Sequence, residues 1–141
     1  MSGSLLEALA ANGYGRVDVD ELIALAQHGL SAEDIVPLHG GSLEELIDLH
    51  DRGLQAQHIR AFTELFPGIS AETLGELSDH GVSVAGAAAF RTADPGLSAE
   101  DIVELTDHGV EPDFVRRLAA HGYVSIGVDE LVELADAGFT P

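Results

Sequence analysis

Seven histidines and 25 acidic residues share this 141-residue chain with no cysteine and no lysine. Histidine beside Asp or Glu is the material of metal sites and proton relays. His28, His80 and His108 each precede a glycine, and Asp-His-Gly is written out at 79–81 and 107–109. Adjacent residues on a helix do not face one another, so these triplets cannot close on one ion by themselves. No HExxH or paired-cysteine spacing is present, and metal capture from sequence-local ligands needs such spacing. A cation at a helix C-terminus is favoured by the macrodipole, and that role accounts for the three histidines, for Arg52 in the same place and for His121. Serines fall mostly where helices would start, without a Gly-x-Ser-x-Gly elbow. No Gly-rich phosphate loop follows a strand. Catalytic residues, a metal and a cofactor are therefore not expected, and the chain does not read as an enzyme.

The elements that carry these residues are visible as a repeat. One eleven-residue sentence occurs at 20–30, 44–54, 72–82, 100–110 and 129–139. Its glycines are Gly29, Gly53, Gly81, Gly109 and Gly138, 24 to 29 residues apart. A near-constant period in this range marks a repeat array. Position 1 is always acidic, which suits the first turn of a helix. Positions 3 and 6 are always Leu or Ile, and position 4 is apolar except at Gly75, which makes one buried stripe. Position 10 is Gly and position 11 is apolar, as a Schellman ending requires, so Gly81 and Gly109 are expected at positive φ.

The starts are coded as well. Ser31, Ser42 and Ser98 each precede an acid by three residues, the spacing of a capping box. Ser70 is placed to cap the third copy, and Pro112 suits a first helical position. A looser segment alternates with the eleven-residue one, clearest at 58–68 and 113–123. Residues 5–19 align with 114–128, so Gly13-Tyr14 matches Gly122-Tyr123. Pro37 cuts the copy at 34–41 short, and Gly40-Gly41 reads as a helix stop. Helices of this length are marginal alone and need neighbours. The expected fold is all-α, a solenoid-like array of about five pairs of short capped helices, in a single domain over 1–141.

The formal net charge is −19. In copies two to five, positions 1, 5 and 8 are all acidic: Glu44, Asp48 and Asp51; Glu72, Glu76 and Asp79; Glu100, Glu104 and Asp107; Asp129, Glu133 and Asp136. These positions are i, i+4 and i+7 and share a helix face. One reading is a solvated face in an acidic, lysine-poor proteome. The other is a surface for a protein with a basic segment, which such charge would steer. A non-catalytic interaction or scaffold module is the expected function. A nucleic-acid mimic that blocks a basic DNA-binding protein is an alternative. Direct nucleic-acid binding is disfavoured, because it needs cations to meet phosphates. The small-residue segment Val84, Ala85, Gly86, Ala88 and Phe90 supports either close helix packing or a groove for a small hydrophobic ligand or peptide. No apolar run is long enough to span a membrane, and MSGSLLEAL has no basic-then-apolar leader. A cytoplasmic location is the default expectation.

The run LSAEDIVELTDHGVEPDFVRRLAAHGYVSIGVDELVELADAGFTP at 97–141 resembles a bacterial repeat of the form LS-x-DELVEL-xx-HGV-x-P-xx-VR-x-L-xx-LGY. Such arrays occur in the C-terminal regions of BlaR-type membrane metallopeptidases. The likeness extends more faintly over 17–82 and is weak over 83–96. It implies an α-helical repeat module without the protease. The family often has a large apolar or basic residue before the histidine. Here Asp51, Asp79 and Asp107 stand at that position, so this array is more acidic. LSAEDIV at 30–36 and 97–103 is also faintly similar to TAL-effector-like DNA-binding repeats, against which the net charge speaks.

The two ends of the array are complementary in pattern. The chain opens on a segment of the second type and closes on one of the first. Leu5, Leu6 and Leu9 at one end, and Leu131, Leu134 and Phe139 at the other, are candidates for incomplete cover. Weak head-to-tail self-association is the corresponding expectation.

Overall fold

The computed structural model describes residues 4–15, 17–39 and 41–141. The N-terminal tripeptide and Gly40, to which the leader and helix-stop readings refer, lie outside the described residues. The fold is all-α, and among the described residues there is no strand. The helices are α1 (Leu5–Ala11), α2 (Val19–Gln27), α3 (Leu43–Asp51), α4 (Ala56–Leu65), α5 (Ala71–Asp79), α6 (Val84–Ala93), α7 (Ala99–Asp107), α8 (Pro112–Ala120) and α9 (Val128–Asp136). A 3-10 turn at Ala32–Asp34 stands between α2 and α3. The eleven-residue copies are α2, α3, α5, α7 and α9. The looser segments are α1, the 3-10 turn, α4, α6 and α8.

Each boundary follows from local chemistry. Ser42 Oγ accepts from Glu45 N–H while Glu45 Oε1 accepts from Ser42 N–H, a closed capping box. Ser98 and Asp101 repeat it on α7, and Asp18 and Glu21 on α2. Ser70 Oγ accepts from Thr73 N–H at the start of α5, and Pro112 is the first residue of α8. The second looser segment gets no further than three helical residues. Pro37 disfavours helical backbone at Val36, and Ile35 is already extended at φ −85°, ψ 117°.

All five stops are Schellman motifs. In α7, Val110 N–H donates to Leu105 O and Gly109 N–H to Thr106 O, with Gly109 at φ 74°. Gly81 has φ 73°, with the same two bonds to Leu77 and Ser78. Only glycine takes this conformation without cost.

The chain divides into two compact units, residues 1–75 and 76–141, and the array expected over 1–141 spans both. In the first, α1 packs on the 3-10 turn and α2 on α3. In the second, α6 packs on α8 and on α7, and α7 on α9. Apart from the α6–α7 contact, each of these pairs joins a segment to the next one of the same kind. The cores are the predicted stripes: Leu25, Leu46 and Leu49 in the first unit, Leu77, Ile102, Leu105 and Leu131 in the second, all at most 2% exposed. Each such side chain contributes about 1.5–3 kcal/mol by leaving water.

Candidate acidic interaction surface

The acids at positions 1, 5 and 8 lie on the outside of their helices, opposite the leucines. Eleven of the twelve are exposed, and Glu76 is half-buried. The last acid of three rows is tied to the preceding copy. His28 Nδ1 lies 2.7 Å from Asp51 Oδ2, joining α2 to α3. His80 Nδ1 lies 2.7 Å from Asp107 Oδ1, within the second unit. His108 Nδ1 stands 3.8 Å from Asp136 Oδ2, joining α7 to α9. The histidine of one Asp-His-Gly triplet therefore meets the aspartate of the next, and the imidazole N–H has a carboxylate to donate to. These groups are about half exposed, so each contact is worth about 0–1 kcal/mol. Each joins position 9 of one copy to position 8 of the next.

The macrodipole explained the histidines one helix at a time and missed this partner. A signal was present. Copies one to four carry His or Arg at position 9: His28, Arg52, His80 and His108. Copies two to five carry Asp at position 8: Asp51, Asp79, Asp107 and Asp136. The two sets are offset by one copy, as a bond between neighbours requires. Gln27 and Ala137 are the exceptions, at the two ends.

Arg52 explains another irregularity. Its Nη2 pairs with Asp48 Oδ2 at 3.1 Å, and a Cβ on Gly75 would collide with its Nη1. The only copy without an apolar residue at position 4 is thus the one over which an arginine passes. Asp79 and Glu100 have interactions of their own as well.

In the second unit the structure gathers acids the repeat pattern did not single out. An open depression of about 540 Å³ lies between α7, the α6–α7 connection and the start of α9. Glu104 and Asp129 from the predicted rows line it, together with Asp94, Asp101 and Glu130. Leu97, Ile126 and Val128 give it an apolar floor, and no basic residue lines it. Two of the acids are held in place by backbone: Asp101 Oδ2 accepts from Ser98 N–H and Asp94 Oδ1 from Gly96 N–H. No group of three or more His, Asp or Glu among the described residues is arranged to hold a metal ion.

The small-residue segment is the first seven residues of α6. Ala87 and Phe90 are buried, Val84, Gly86 and Ala88 are half-buried, and Ala85 is exposed. The small side chains let α6 approach α8. An open cleft does flank that contact, lined by Ala89, Thr92, Ala93, Pro112, Asp113 and Arg116 among others. It shares no residue with the five expected. At its rim, Arg116 bonds Asp113, and with Arg117 nearby it holds the Asp113 carboxyl below the usual carboxylate range.

No helix among the described residues is long and apolar enough to cross a membrane. No family model matches the chain, and neither a curated protein nor a solved structure matches it.

Proposed function

We propose that the chain is a non-catalytic interaction module, a stack of helical repeats whose acidic surface takes a lysine- and arginine-rich segment of a partner protein. The observation that carries the reading is the depression lined by Asp94, Asp101, Glu104, Asp129 and Glu130 without a single base. Like charges held together without relief cost free energy in the isolated molecule, and a basic partner removes that cost. The apolar floor suits the methylene stems of Lys and Arg, which lie on apolar surface while their charged heads reach acids. Acidic rows on α3, α5, α7 and α9 extend the attraction and speed the encounter. The likeness of 97–141 to non-catalytic repeat arrays points the same way.

Titration of a fluorescent Lys/Arg-rich peptide at low and high salt tests the proposal. Binding is expected to weaken steeply as salt screens exposed charge over about 10 Å or less. The triple variant Glu104→Gln, Asp129→Asn, Glu130→Gln should weaken it by about tenfold or more, or 1.4 kcal/mol, and flatten its salt dependence. Absence of binding at low salt, or the same affinity in the variant, overturns it. Release of bound DNA from a basic DNA-binding protein would make the same surface a mimic of nucleic acid.

A further inference from the structure

All six exposed large apolar side chains among the described residues belong to the first and last repeats. Leu6, Val19 and Ile23 stand on or beside α1 and α2; Tyr123, Val124 and Phe139 follow α8 and α9. The same repeat positions are covered in between. At position 11, Leu30, Leu54, Val82 and Val110 are 4–8% exposed, and Phe139 is 46% exposed. At position 4, Ile47 and Val103 are buried while Ile23 is 48% exposed. Leu9 and Leu131, candidates for incomplete cover, are each 1% exposed. Beneath Tyr123 and Val124 a cavity of about 130 Å³ opens toward Val115, Ala119 and Leu131. It has room for an apolar side chain.

What covers such a face is visible elsewhere in the molecule. The 3-10 segment covers α1 and α3 covers α2; α8 covers α6 and α9 covers α7. In each case the cover is the next element of the same kind. The face of α8 and α9 is the continuation of that interface. At the face of α1 and α2, Ile23 is exposed at a position that Ile47 and Val103 bury in later copies, so the two faces are counterparts in the repeat. The ladder residues agree. The acid of position 8 is replaced in copy one by Gln27, and the His or Arg of position 9 in copy five by Ala137. Brought together, these two positions meet without an unpaired charge.

We propose that the face of α8 and α9 is a docking surface for a second copy of this chain, which seats its α1 and α2 there, head to tail. The contact is heterologous, so it propagates rather than closing as a two-fold dimer. The net charge of −19 holds copies apart at low salt, and screening lets the apolar faces meet.

The absence of cysteine permits a register-specific test. Gln27→Cys and Ala137→Cys variants are mixed at about 1 M salt, where the Debye length is about 3 Å, and treated with a short bis-maleimide. The mixture is expected to give a cross-linked dimer about tenfold above either variant alone, a difference of about 1.4 kcal/mol in association. Adding Leu6→Glu to the Gln27→Cys chain, with helicity checked by circular dichroism, should abolish the excess. Sedimentation of the unmodified chain should show mass rising with concentration at about 1 M salt and not at about 0.02 M. Equal cross-linking in all three samples, an excess that survives Leu6→Glu, or a constant monomer mass at both salts overturns the proposal.

Discussion

Two helix ends in this molecule are written alike and finish differently. The first looser helix, α1, ends in Gly13-Tyr14, and the last, α8, ends in Gly122-Tyr123. Both glycines take positive φ, 86° and 91°. Both tyrosine N–H groups reach back 3.0 Å to a leucine carbonyl, Leu9 O and Leu118 O. There the likeness stops. The Tyr14 hydroxyl donates to Val36 O at 2.7 Å and its ring is half-buried, whereas Tyr123 is 62% exposed. Burial, aided by the charge of Glu45, pushes the Tyr14 phenol up to about 12. The cause is the next segment. Ile35 and Val36 come up against α1 and are fully buried, and no described element takes that place after α8. A local motif sets where the tyrosine stands; a neighbour decides what it does.

The largest effects should leave that comparison intact. Leu9 and Leu118 are the buried residues to which the two tyrosines fold back, at 1% and 4% exposure. Leu9→Ala and Leu118→Ala should each destabilise their unit by about 2–5 kcal/mol, read by urea unfolding. A cost well under 1 kcal/mol at either would mean that one of the two ends is not packed as described.

The tyrosines themselves should separate the two ends. Tyr14→Phe leaves the buried Val36 carbonyl without its donor and should cost about 1–3 kcal/mol. Tyr123→Phe should stay within about 0.5 kcal/mol. Alkaline titration sharpens the contrast. The folded-state value of Tyr14 lies above the ordinary value of 10.0, so its stabilising contribution is complete below pH 10. It is lost as pH rises toward about 12, because the unfolded chain ionises first. With allowance for solvent screening at this half-exposed group, the loss is on the order of 1–2 kcal/mol. It should vanish in Tyr14→Phe and persist in Tyr123→Phe. The same pH slope in both variants would break the comparison.

The smallest effect concerns what the two ends share. Nothing lies within 4 Å of a Cβ built on Gly13, Gly122, Gly81 or Gly109, so alanine there meets only the cost of left-handed backbone. Each substitution should cost about 1 kcal/mol, equally at all four sites, in the same unfolding measurement. A neutral result at any of them would mean that its helix end relaxes to another conformation.

Much of what a few consecutive residues govern was legible, although the Asp18–Glu21 capping box of α2 was not singled out. Capping boxes at Ser42 and Ser98, the stop at Gly109, the break before Pro37 and the leucine stripes all depend on hydrogen bonds or periodicity within one helix. The candidate site was legible only in part. The rows containing Glu104 and Asp129 were visible from spacing, but Asp94 lies in a connection, and Asp101 and Glu130 read as first-turn acids. Nothing within one repeat brings them to the same depression. The partner of His80 was also out of reach of helix-local reasoning, since Asp107 is 27 residues away. Only the one-copy offset between the His or Arg of position 9 and the Asp of position 8 carried that information.

By itself, then, the order of residues determines ten short elements, their caps, their stops and their buried faces, because each rests on contacts within one turn or two of the chain. Tertiary structure decides which of two identical Gly-Tyr ends is covered, which aspartates are occupied by a neighbour's histidine, and which acids share one open depression. The physical reason is distance along the chain. Those outcomes depend on side chains from different repeats meeting in space, and identical local sequences meet different neighbours.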